Sequence, residues 1–240
     1  MTIHYLIDHS YTEDDDTGYG EFGHLLAFNP GAHDAHLKLT FYFTDREPAT
    51  FEMTAAAGKS TESNYSKWPV KPGQRFALAV ESDQPIICQS TVGWNVTRND
   101  YAPNARTKSP LGVRETAKSY NALTQLSRHW YTADGIVIDM PEHMYVRESE
   151  WAILLNPNDA PARITLHLHY DDVDDHGVEV PARRVSWIFM DEIARKNKHY
   201  GVHFESDLPI AAQWLRTVNW NDGDEIMAYW DAPCIPGPLK

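Results

Sequence analysis

The stretch Glu81-Ser-Asp-Gln-Pro-Ile-Ile-Cys-Gln89 returns later in the chain as Glu205-Ser-Asp-Leu-Pro-Ile-Ala-Ala-Gln213. Six of the nine positions are identical, and the copies are 124 residues apart (205 − 81 = 124). A repeat of this length is too large for one unit of a solenoid and suits a whole small domain. The ESDxPIxxQ motif therefore predicts that a complete domain has been duplicated.

Two further pairs of similar segments occur in the same order. Leu26-Ala-Phe-Asn-Pro30 resembles Ile153-Leu-Leu-Asn-Pro157, and Leu37-Lys-Leu-Thr-Phe-Tyr-Phe-Thr-Asp45 resembles Ile164-Thr-Leu-His-Leu-His-Tyr-Asp-Asp172. The asparagines of the first pair are 127 residues apart (156 − 29 = 127). Three pairs of similar segments, in the same order and separated by nearly the same distance, predict two tandem domains, residues 1–127 and residues 128–240.

Apolar and polar residues alternate along the matching segments, as in a strand with one buried face. The inward residues are expected to be Leu37, Leu39, Phe41 and Phe43 in the first copy and Ile164, Leu166, Leu168 and Tyr170 in the second. In ESDxPI, Asp with Pro two residues later predicts a tight turn that leads into another strand. The fold class is therefore all-β, with two similar antiparallel β-sandwich (jelly-roll-like) domains in tandem. Few short helices are expected, the best candidate being one or two turns within Met190-Asp-Glu-Ile-Ala-Arg-Lys-Asn197.

The composition limits the classes of function. The 240 residues carry a net charge of −13, which opposes binding to nucleic acid and to anionic membranes. The N-terminal residues lack the pattern of a signal peptide, and no apolar run is long enough to insert into a membrane, so a soluble cytoplasmic protein is predicted. Cys88 and Cys234 form neither a metal-binding spacing nor a disulfide framework, and no cofactor is predicted.

Several segments of the second half carry a resemblance to a known family. They are Trp130-Tyr-Thr-Ala-Asp-Gly135, Val180-Pro-Ala-Arg-Arg184 and Pro209-Ile-Ala-Ala-Gln-Trp-Leu-Arg216. Their order resembles the sensory rhodopsin transducer family of small β-proteins. The first half is less similar, since Thr54-Ala-Ala-Ala-Gly-Lys59 stands in place of the VPARR segment and Val92 in place of Arg216. Any site that depends on the family's arginines is therefore expected in the second copy alone.

The resemblance implies a β-sandwich that forms symmetric oligomers. It also implies a binding role, because sugars or other small molecules have been proposed as ligands for the family, and DNA for some members. The namesake couples a photosensory rhodopsin to signalling, so a protein signalling partner is a second possibility. A tandem chain resembles a fused dimer, and we expect a homodimer that forms a pseudo-tetramer of domains.

The residues expected to bind a ligand are Trp130, Glu150, Arg183, Arg184, Gln213 and Arg216. Guanidinium groups bind carboxylates and phosphates through paired hydrogen bonds, and aromatic rings stack on sugars. The alternative for the two arginines of VPARR is a solvated turn or an ion pair. For the tryptophans the alternative is core packing, which we expect for Trp151.

Three functional hypotheses remain open from the sequence. The first is a non-enzymatic module that binds a small polar ligand, such as a sugar or sugar acid, or a protein partner. The second is a metal-dependent enzyme of sugar metabolism that uses His167 and His169, two outward residues of one predicted strand. The third is a structural protein whose surface tryptophans form an oligomer interface. Since no nucleophile elbow, phosphate loop or HExxH motif is present, we expect no enzymatic activity.

Overall fold

The computed structural model describes residues 1–11, 13–14, 19–97, 113–138, 146–220 and 225–237. The chain divides into two compact units. The first unit contains Met1–Phe41 and Ala49–Ala122, and the second contains Tyr42–Pro48 and Leu123–Lys240. Among the described residues, no helix is long and apolar enough to cross a membrane.

The described residues of the first unit form nine strands and one 3-10 turn, Tyr65–Lys67. The strands are β1 (Thr2–Tyr11), β2 (Glu13–Asp14), β3 (Tyr19–Asn29), β4 (Ala35–Phe43), β5 (Ala49–Ala55), β6 (Lys59–Asn64), β7 (Gln74–Ser82), β8 (Ile87–Thr97) and β9 (Val113–Asn121). One sheet has the order β1-β7-β4-β5. The other has the order β6-β3-β8-β9, with β2 paired to β3.

The second unit repeats this arrangement, and the part of it that the structure describes contains eight strands and the 3-10 turn Met190–Glu192. The strands are β10 (Ser127–Ile136), β11 (Val146–Asn156), β12 (Ala162–His169), β13 (Val173–Val180), β14 (Arg184–Phe189), β15 (His199–Trp220), β16 (Glu225–Pro233) and β17 (Ile235–Pro236). Its sheets have the orders β10-β15-β12-β13 and β14-β11-β15-β16, with β17 paired to β10. The strand order matches that of the first unit, so the all-β prediction is confirmed.

The strand β15 belongs to both sheets of the second unit, because it continues from one sheet into the other through the ESDLPI segment. In the first unit the equivalent chain is interrupted between β7 and β8 at Asp83–Ile86. The predicted turn before a new strand is therefore present in the first copy. In the second copy the prediction of a turn is wrong, since the segment stays extended where it changes sheet.

The aspartate of ESDxPI makes an equivalent hydrogen bond in both units, which gives a structural reason for the repeat. The Asp83 carboxylate accepts a hydrogen bond of 2.9 Å from the backbone N–H of His36, and the Asp207 carboxylate accepts one of 2.8 Å from that of Arg163. His36 and Arg163 occupy the same place at the start of β4 and β12. The aspartate thus ties the ESDxPI segment to a neighbouring strand in each unit, which is a structural role.

The repeated asparagine has a similar role. Asn29 and Asn156 are fully buried at the ends of β3 and β11. The Asn29 side-chain amide donates a hydrogen bond of 2.9 Å to the carbonyl of Ala55, the last residue of β5. The Asn156 amide donates one of 3.0 Å to the carbonyl of Val180, the last residue of β13. Each side-chain oxygen accepts from a backbone N–H two residues later, at 2.9 Å and 3.0 Å. Because buried polar groups are costly without partners, these bonds fix the turn after each strand.

The core of the second unit lies between its two sheets. Residues of β12 and β15 form one side of it, and residues of β11 and the later part of β15 form the other; the members include Ile164, Leu166, Leu168, Phe204, Ala152, Leu154 and Trp214. The predicted inward residues of both copies are buried, except Tyr170, which is half-buried. Trp151 does not join this cluster, which corrects our expectation. It is half-buried and meets Trp187 edge-to-face and Phe189 at a tilt, because alternation places its neighbour Ala152 in the core.

The burial of His4 in the first unit predicts that the free energy of unfolding depends on pH. His4 is 8% exposed, and its Nε2 atom has no hydrogen-bond partner among the described residues. Burial lowers the pKa of His4 below its usual value of 6.5. The stability linked to the neutral imidazole is therefore present above about pH 6.5 and is lost as the pH falls through the folded-state pKa. We expect the free energy of unfolding of His4→Leu to rise relative to that of the wild type as the pH falls from 8 to 5.5, because only the wild type loses stability by protonation of His4.

Urea unfolding of the wild type and His4→Leu at both pH values measures this difference. His33→Leu is the control, because His33 is exposed in a turn. Equal changes for the wild type and His4→Leu between the two pH values would contradict the assignment.

Candidate functional site

Glu150 and Arg216 form a buried ion pair between the two central strands of one sheet. They are direct cross-strand neighbours on β11 and β15. Arg216 donates from Nε to Glu150 Oε1 at 2.9 Å and from Nη2 to the same oxygen at 2.5 Å. The Glu150 side chain is 1% exposed and that of Arg216 is 17% exposed. The carboxylate is therefore enclosed by protein, whereas the guanidinium reaches the surface.

Glu150 receives further hydrogen bonds from β10 and from the first part of β15. The Ile136 backbone N–H donates to both carboxylate oxygens, at 3.0 Å and 3.1 Å, and the Tyr200 hydroxyl donates to Oε2 at 2.7 Å. Gly135 makes room for this tyrosine, since a Cβ there would come within 2.5 Å of the Tyr200 ring. All of these groups are donors, so the ionised carboxylate is the form that the surroundings satisfy.

Burial and charge shift the pKa values of this cluster. Burial raises the pKa of Glu150, and the hydrogen bonds from Tyr200, Ile136 and Arg216 only partly oppose that effect. Burial also raises the pKa of Tyr200, and the nearby charge of Glu150 adds to the rise. For Arg216, burial acts to lower the pKa, but the hydrogen bonds and charge of Glu150 outweigh it and raise the pKa overall. Burial therefore favours the protonated form of Glu150, while the donors around it favour the ionised form.

The outer side of the Arg216 guanidinium is held only loosely. Its Nη2 atom is 3.3 Å from the Asp134 carbonyl oxygen and 3.4 Å from the Asp134 carboxylate. The Asp134 side chain is 82% exposed. The Nη1 group of Arg216 makes no hydrogen bond to any described residue. Arg216 therefore keeps donors that an anionic group from solvent can use.

The 3-10 turn Met190–Glu192 makes a hydrogen bond to the backbone of the buried pair. The Asp191 carboxylate accepts a 3.0 Å hydrogen bond from the Glu150 backbone N–H, and the Asp191 carbonyl accepts one of 2.7 Å from Lys196 Nζ. Asp191 and Met190 are both buried. The turn, predicted as the best helical candidate, thus fixes the backbone of β11 at Glu150.

A second ionic group lies beside Tyr200. The ring of Tyr170 is 5.4 Å from that of Tyr200, and the Tyr170 hydroxyl accepts a 2.8 Å hydrogen bond from the Arg195 backbone N–H. The Arg195 guanidinium binds Asp172 at 2.7 Å and Asp174 at 2.6 Å. These bonds hold the pKa of Asp172 below its usual value. Since Arg195 already binds two carboxylates, it has less capacity for a ligand than Arg216.

The first unit lacks the ion pair at the equivalent place. There the cross-strand neighbours are Gly23 and Val92, which match Glu150 and Arg216 at offsets of 127 and 124 residues. A Cβ at Gly23 would collide with the ring of Tyr65, so this tyrosine takes the space beside the missing carboxylate. The two units therefore share a framework but differ in this site.

The first unit has a different buried polar group in this region. His9 Nε2 lies 3.2 Å from the Ser90 hydroxyl, and His9 Nδ1 lies 3.4 Å from the Tyr65 hydroxyl. The His9 ring stacks on Phe76, with centroids 5.1 Å apart. His9 and Ser90 are fully buried, so this group stabilises a core and has no access to a substrate.

The structure brings together only two of the six residues that the sequence nominated, Glu150 and Arg216. Trp130 is fully buried in the core, where its indole N–H donates to the Ile210 carbonyl at 2.9 Å. Gln213 is buried on the face of β15 opposite Trp214, which joins the core. Sequence reasoning missed Tyr200 and Asp134, although Asp134 lies in the WYTADG segment.

The two arginines of VPARR lie at the hairpin between β13 and β14. Arg184 pairs with Asn156 in the β11 register, six residues from Glu150, which is about 20 Å along a strand. Arg184 binds Glu47 at 2.5 Å, and Arg183 lies 3.8 Å from Asp159. Arg183 has a φ of 56°, and Gly58 has a φ of 65° at the equivalent turn of the first unit. The turn therefore requires a left-handed residue, which glycine adopts without strain.

The histidines lie on the outer face of the sheet β10-β15-β12-β13. His167 contacts Asp175 at 2.7 Å and Glu205 at 3.3 Å, while His169 is exposed. His129 and His203 join His167 in a row across three strands. Among the described residues, no three His, Cys, Asp or Glu side chains are placed to hold a metal ion together.

Comparison with known proteins places these features in a family. The family model of the Anabaena sensory rhodopsin transducer matches residues 10–104 and 126–229. The crystal structure of Thermotoga maritima 1070 matches at 20% identity and a TM-score of 0.40, covering 46% of this chain and 95% of that one. No curated protein matches the chain. Because the two matched regions span most of the sequence and each unit has the same strand order, the chain belongs to the Anabaena sensory rhodopsin transducer family, as a tandem duplication of its domain.

Proposed function

We propose that the chain is a non-enzymatic binding module whose second unit recognises a small polar ligand with a carboxylate group, such as a sugar acid. The observation that carries the proposal is the state of Arg216. Its guanidinium is fixed on one side by the buried Glu150, and on the other side it keeps donors that no described residue fills. Guanidinium groups bind carboxylates through two parallel hydrogen bonds, which selects for this ligand class.

Glu150 holds the arginine and does not contact the ligand. Its carboxylate is enclosed and already accepts bonds from Ile136, Tyr200 and Arg216. The exposed Asp134 carboxylate is a weakly held substitute for the ligand, since its contact of 3.4 Å is at the long limit for a hydrogen bond. A ligand carboxylate would replace Asp134 on Arg216.

The other parts of the proposal concern assembly and partners. We place the protein in the cytoplasm as a homodimer, in which ligand binding controls contact with a protein signalling partner. The difference between the units supports one ligand per chain, because Gly23 and Val92 supply no charge in the first unit. The mass of the complex, measured by analytical ultracentrifugation with and without ligand, tests the assembly.

The binding test compares sugars that differ only in the carboxylate. We expect glucuronate and galacturonate to bind and to raise the unfolding temperature, and glucose and galactose to have no effect. Arg216→Lys keeps the charge but loses the paired donors, so it should weaken uronate binding by about tenfold or more, which is about 1.4 kcal/mol. Isothermal titration calorimetry measures the affinities at fixed ionic strength.

Two matched variants separate this site from other arginines. Arg163→Lys is the control for a cation on the surface, since the Arg163 side chain is 83% exposed and lies 3.8 Å from Glu179. The double variant Arg183→Lys/Arg184→Lys tests the VPARR hairpin. If uronates fail to bind the wild type, or if only the hairpin variant loses binding, the assignment to Arg216 is wrong.

A further inference from the structure

A row of histidines crosses the outer face of one sheet in the second unit, away from the buried Glu150. His129 lies on β10, His203 on β15 and His167 on β12. His129 Nδ1 and His203 Nε2 are 3.1 Å apart, and the rings of His203 and His167 are 5.0 Å apart. Alternation along β15 puts His203 on the outer face, because Val202 and Phe204 on either side are buried in the core.

The separation of the two nitrogen atoms suits two ligands of one metal ion. Imidazole nitrogen binds Zn²⁺ at about 2.0–2.1 Å, so two such ligands lie about 2.9 Å apart at a right angle and about 3.4 Å apart at a tetrahedral angle. The distance of 3.1 Å between His129 Nδ1 and His203 Nε2 falls between these values. Without a metal, one ring must donate its N–H to the other, and a metal ion would displace that proton.

The positions of the two rings are fixed by the sheet. His203 is the direct register partner of Tyr131 on β10, and their rings stack with centroids 4.6 Å apart and planes within 8°. His129 lies two residues before Tyr131 on the same face and is half-buried. Because strand pairing and stacking hold both imidazoles, little conformational freedom is lost when they bind one ion.

We propose that His129 and His203 form a binding site for a divalent transition-metal ion such as Zn²⁺ or Cu²⁺, completed by Glu205 and water. Glu205 is the register partner of His129 and is on the same face as His203. Its side chain is 55% exposed and lies beside His167, and the proposed site requires it to turn to another rotamer to reach the pair. Carboxylate oxygen is an accepted third ligand for these ions beside two imidazoles.

The site is specific to the second unit and separate from the ligand site. At the equivalent register positions the first unit has Ile3 and Ala79, which cannot bind a metal. Asp175 and Glu205 place negative charge beside His167, at one end of the histidine row, which favours a cation. Since Glu150 and Arg216 are not ligands, metal binding and uronate binding can be tested independently.

The test uses the full chain, stripped of metal with a chelator and titrated with ZnCl₂ and, separately, CuCl₂. We expect one ion per chain for the site. His129→Asn and His203→Asn should each weaken binding by at least about tenfold, while Glu205→Gln should have a smaller effect. His167→Asn and His169→Asn are matched controls from the neighbouring strand and should bind nearly as the wild type does.

Imidazole ¹⁵N NMR of the wild type provides a measurement that does not depend on variants. Zinc should shift the Nδ1 signal of His129 and the Nε2 signal of His203 together. The proposal is overturned if no ion binds in stoichiometric amount, if the shifts fall on other histidines, or if binding is lost in His167→Asn or His169→Asn instead. Urea unfolding of each metal-free variant confirms that a lost site is not a lost fold.

Discussion

Replacing Arg216 with methionine should lower the free energy of unfolding of the second unit by about 3–5 kcal/mol at neutral pH. The reason is that Glu150 remains behind, fully buried, and its remaining donors among the described residues are the Tyr200 hydroxyl and the Ile136 N–H. A buried carboxylate without its counter-ion is among the most costly single changes in a core. Methionine preserves most of the packing volume, so the loss of stability measures the effect of removing the charge.

The loss should depend on pH with a definite sign. Burial already raises the pKa of Glu150, and removal of the Arg216 charge raises it further. When the folded-state pKa is above the unfolded-state value, stability is lost as the pH rises through the folded-state pKa. The difference in free energy of unfolding between Arg216→Met and the wild type should therefore be smallest near pH 5 and largest near pH 8.

Hydrogen exchange, read by mass spectrometry on peptides from β11 and β15, measures this effect in the second unit alone. The double variant Glu150→Leu/Arg216→Met removes both charges and should recover much of the stability, since an apolar pair can replace a buried ion pair. Arg163→Met, on an exposed side chain, should change the stability by less than about 0.5 kcal/mol. An Arg216→Met protein as well protected as the wild type at pH 8 would show that Glu150 is not charged in the fold.

The sequence predicts those parts of the fold that depend on residues close together in the chain. The alternation of Leu37, Leu39 and Phe41 gives the buried face of β4 directly, and these three residues are at most 2% exposed. The repeat of ESDxPIxxQ gives the duplication, because the same hydrogen bond from Asp83 and Asp207 is required in each unit. Asn29 and Asn156 follow the same logic, since each satisfies its own turn.

The candidate site depends on contacts that leave no local pattern. Glu150 meets Tyr200 and Ile136 only because three strands distant in sequence are brought together by their registers. Comparison of the two copies is more informative, since the sequence alone places Val92 where the second copy has Arg216. The same comparison is misleading for Arg183, whose counterpart is Gly58. There the arginine replaces a glycine at a turn that needs a positive φ, so the difference between copies has no necessary link to a ligand.

Trp130→Ala should be the most destabilising change at a nominated ligand residue, with an expected loss of about 3–5 kcal/mol. Trp130 is fully buried in the core between the sheets, and truncation leaves a large cavity and an unfilled acceptor at the Ile210 carbonyl. Trp130→Phe keeps most of the ring but loses the indole N–H, so the loss should be smaller, about 1–3 kcal/mol. Hydrogen exchange of β10 and β15 peptides measures both changes.

The same variants separate a structural role for Trp130 from a role in ligand binding. Because the indole is enclosed, a sugar cannot stack on it without opening the core. Trp130→Phe should therefore bind uronate with the affinity of the wild type at a temperature where both are folded, while Arg216→Lys does not. Trp187→Ala is the matched control for a half-buried tryptophan and should cost less stability than Trp130→Ala. Uronate binding that is lost in Trp130→Phe, with exchange protection intact, would instead require the core to open for the ligand.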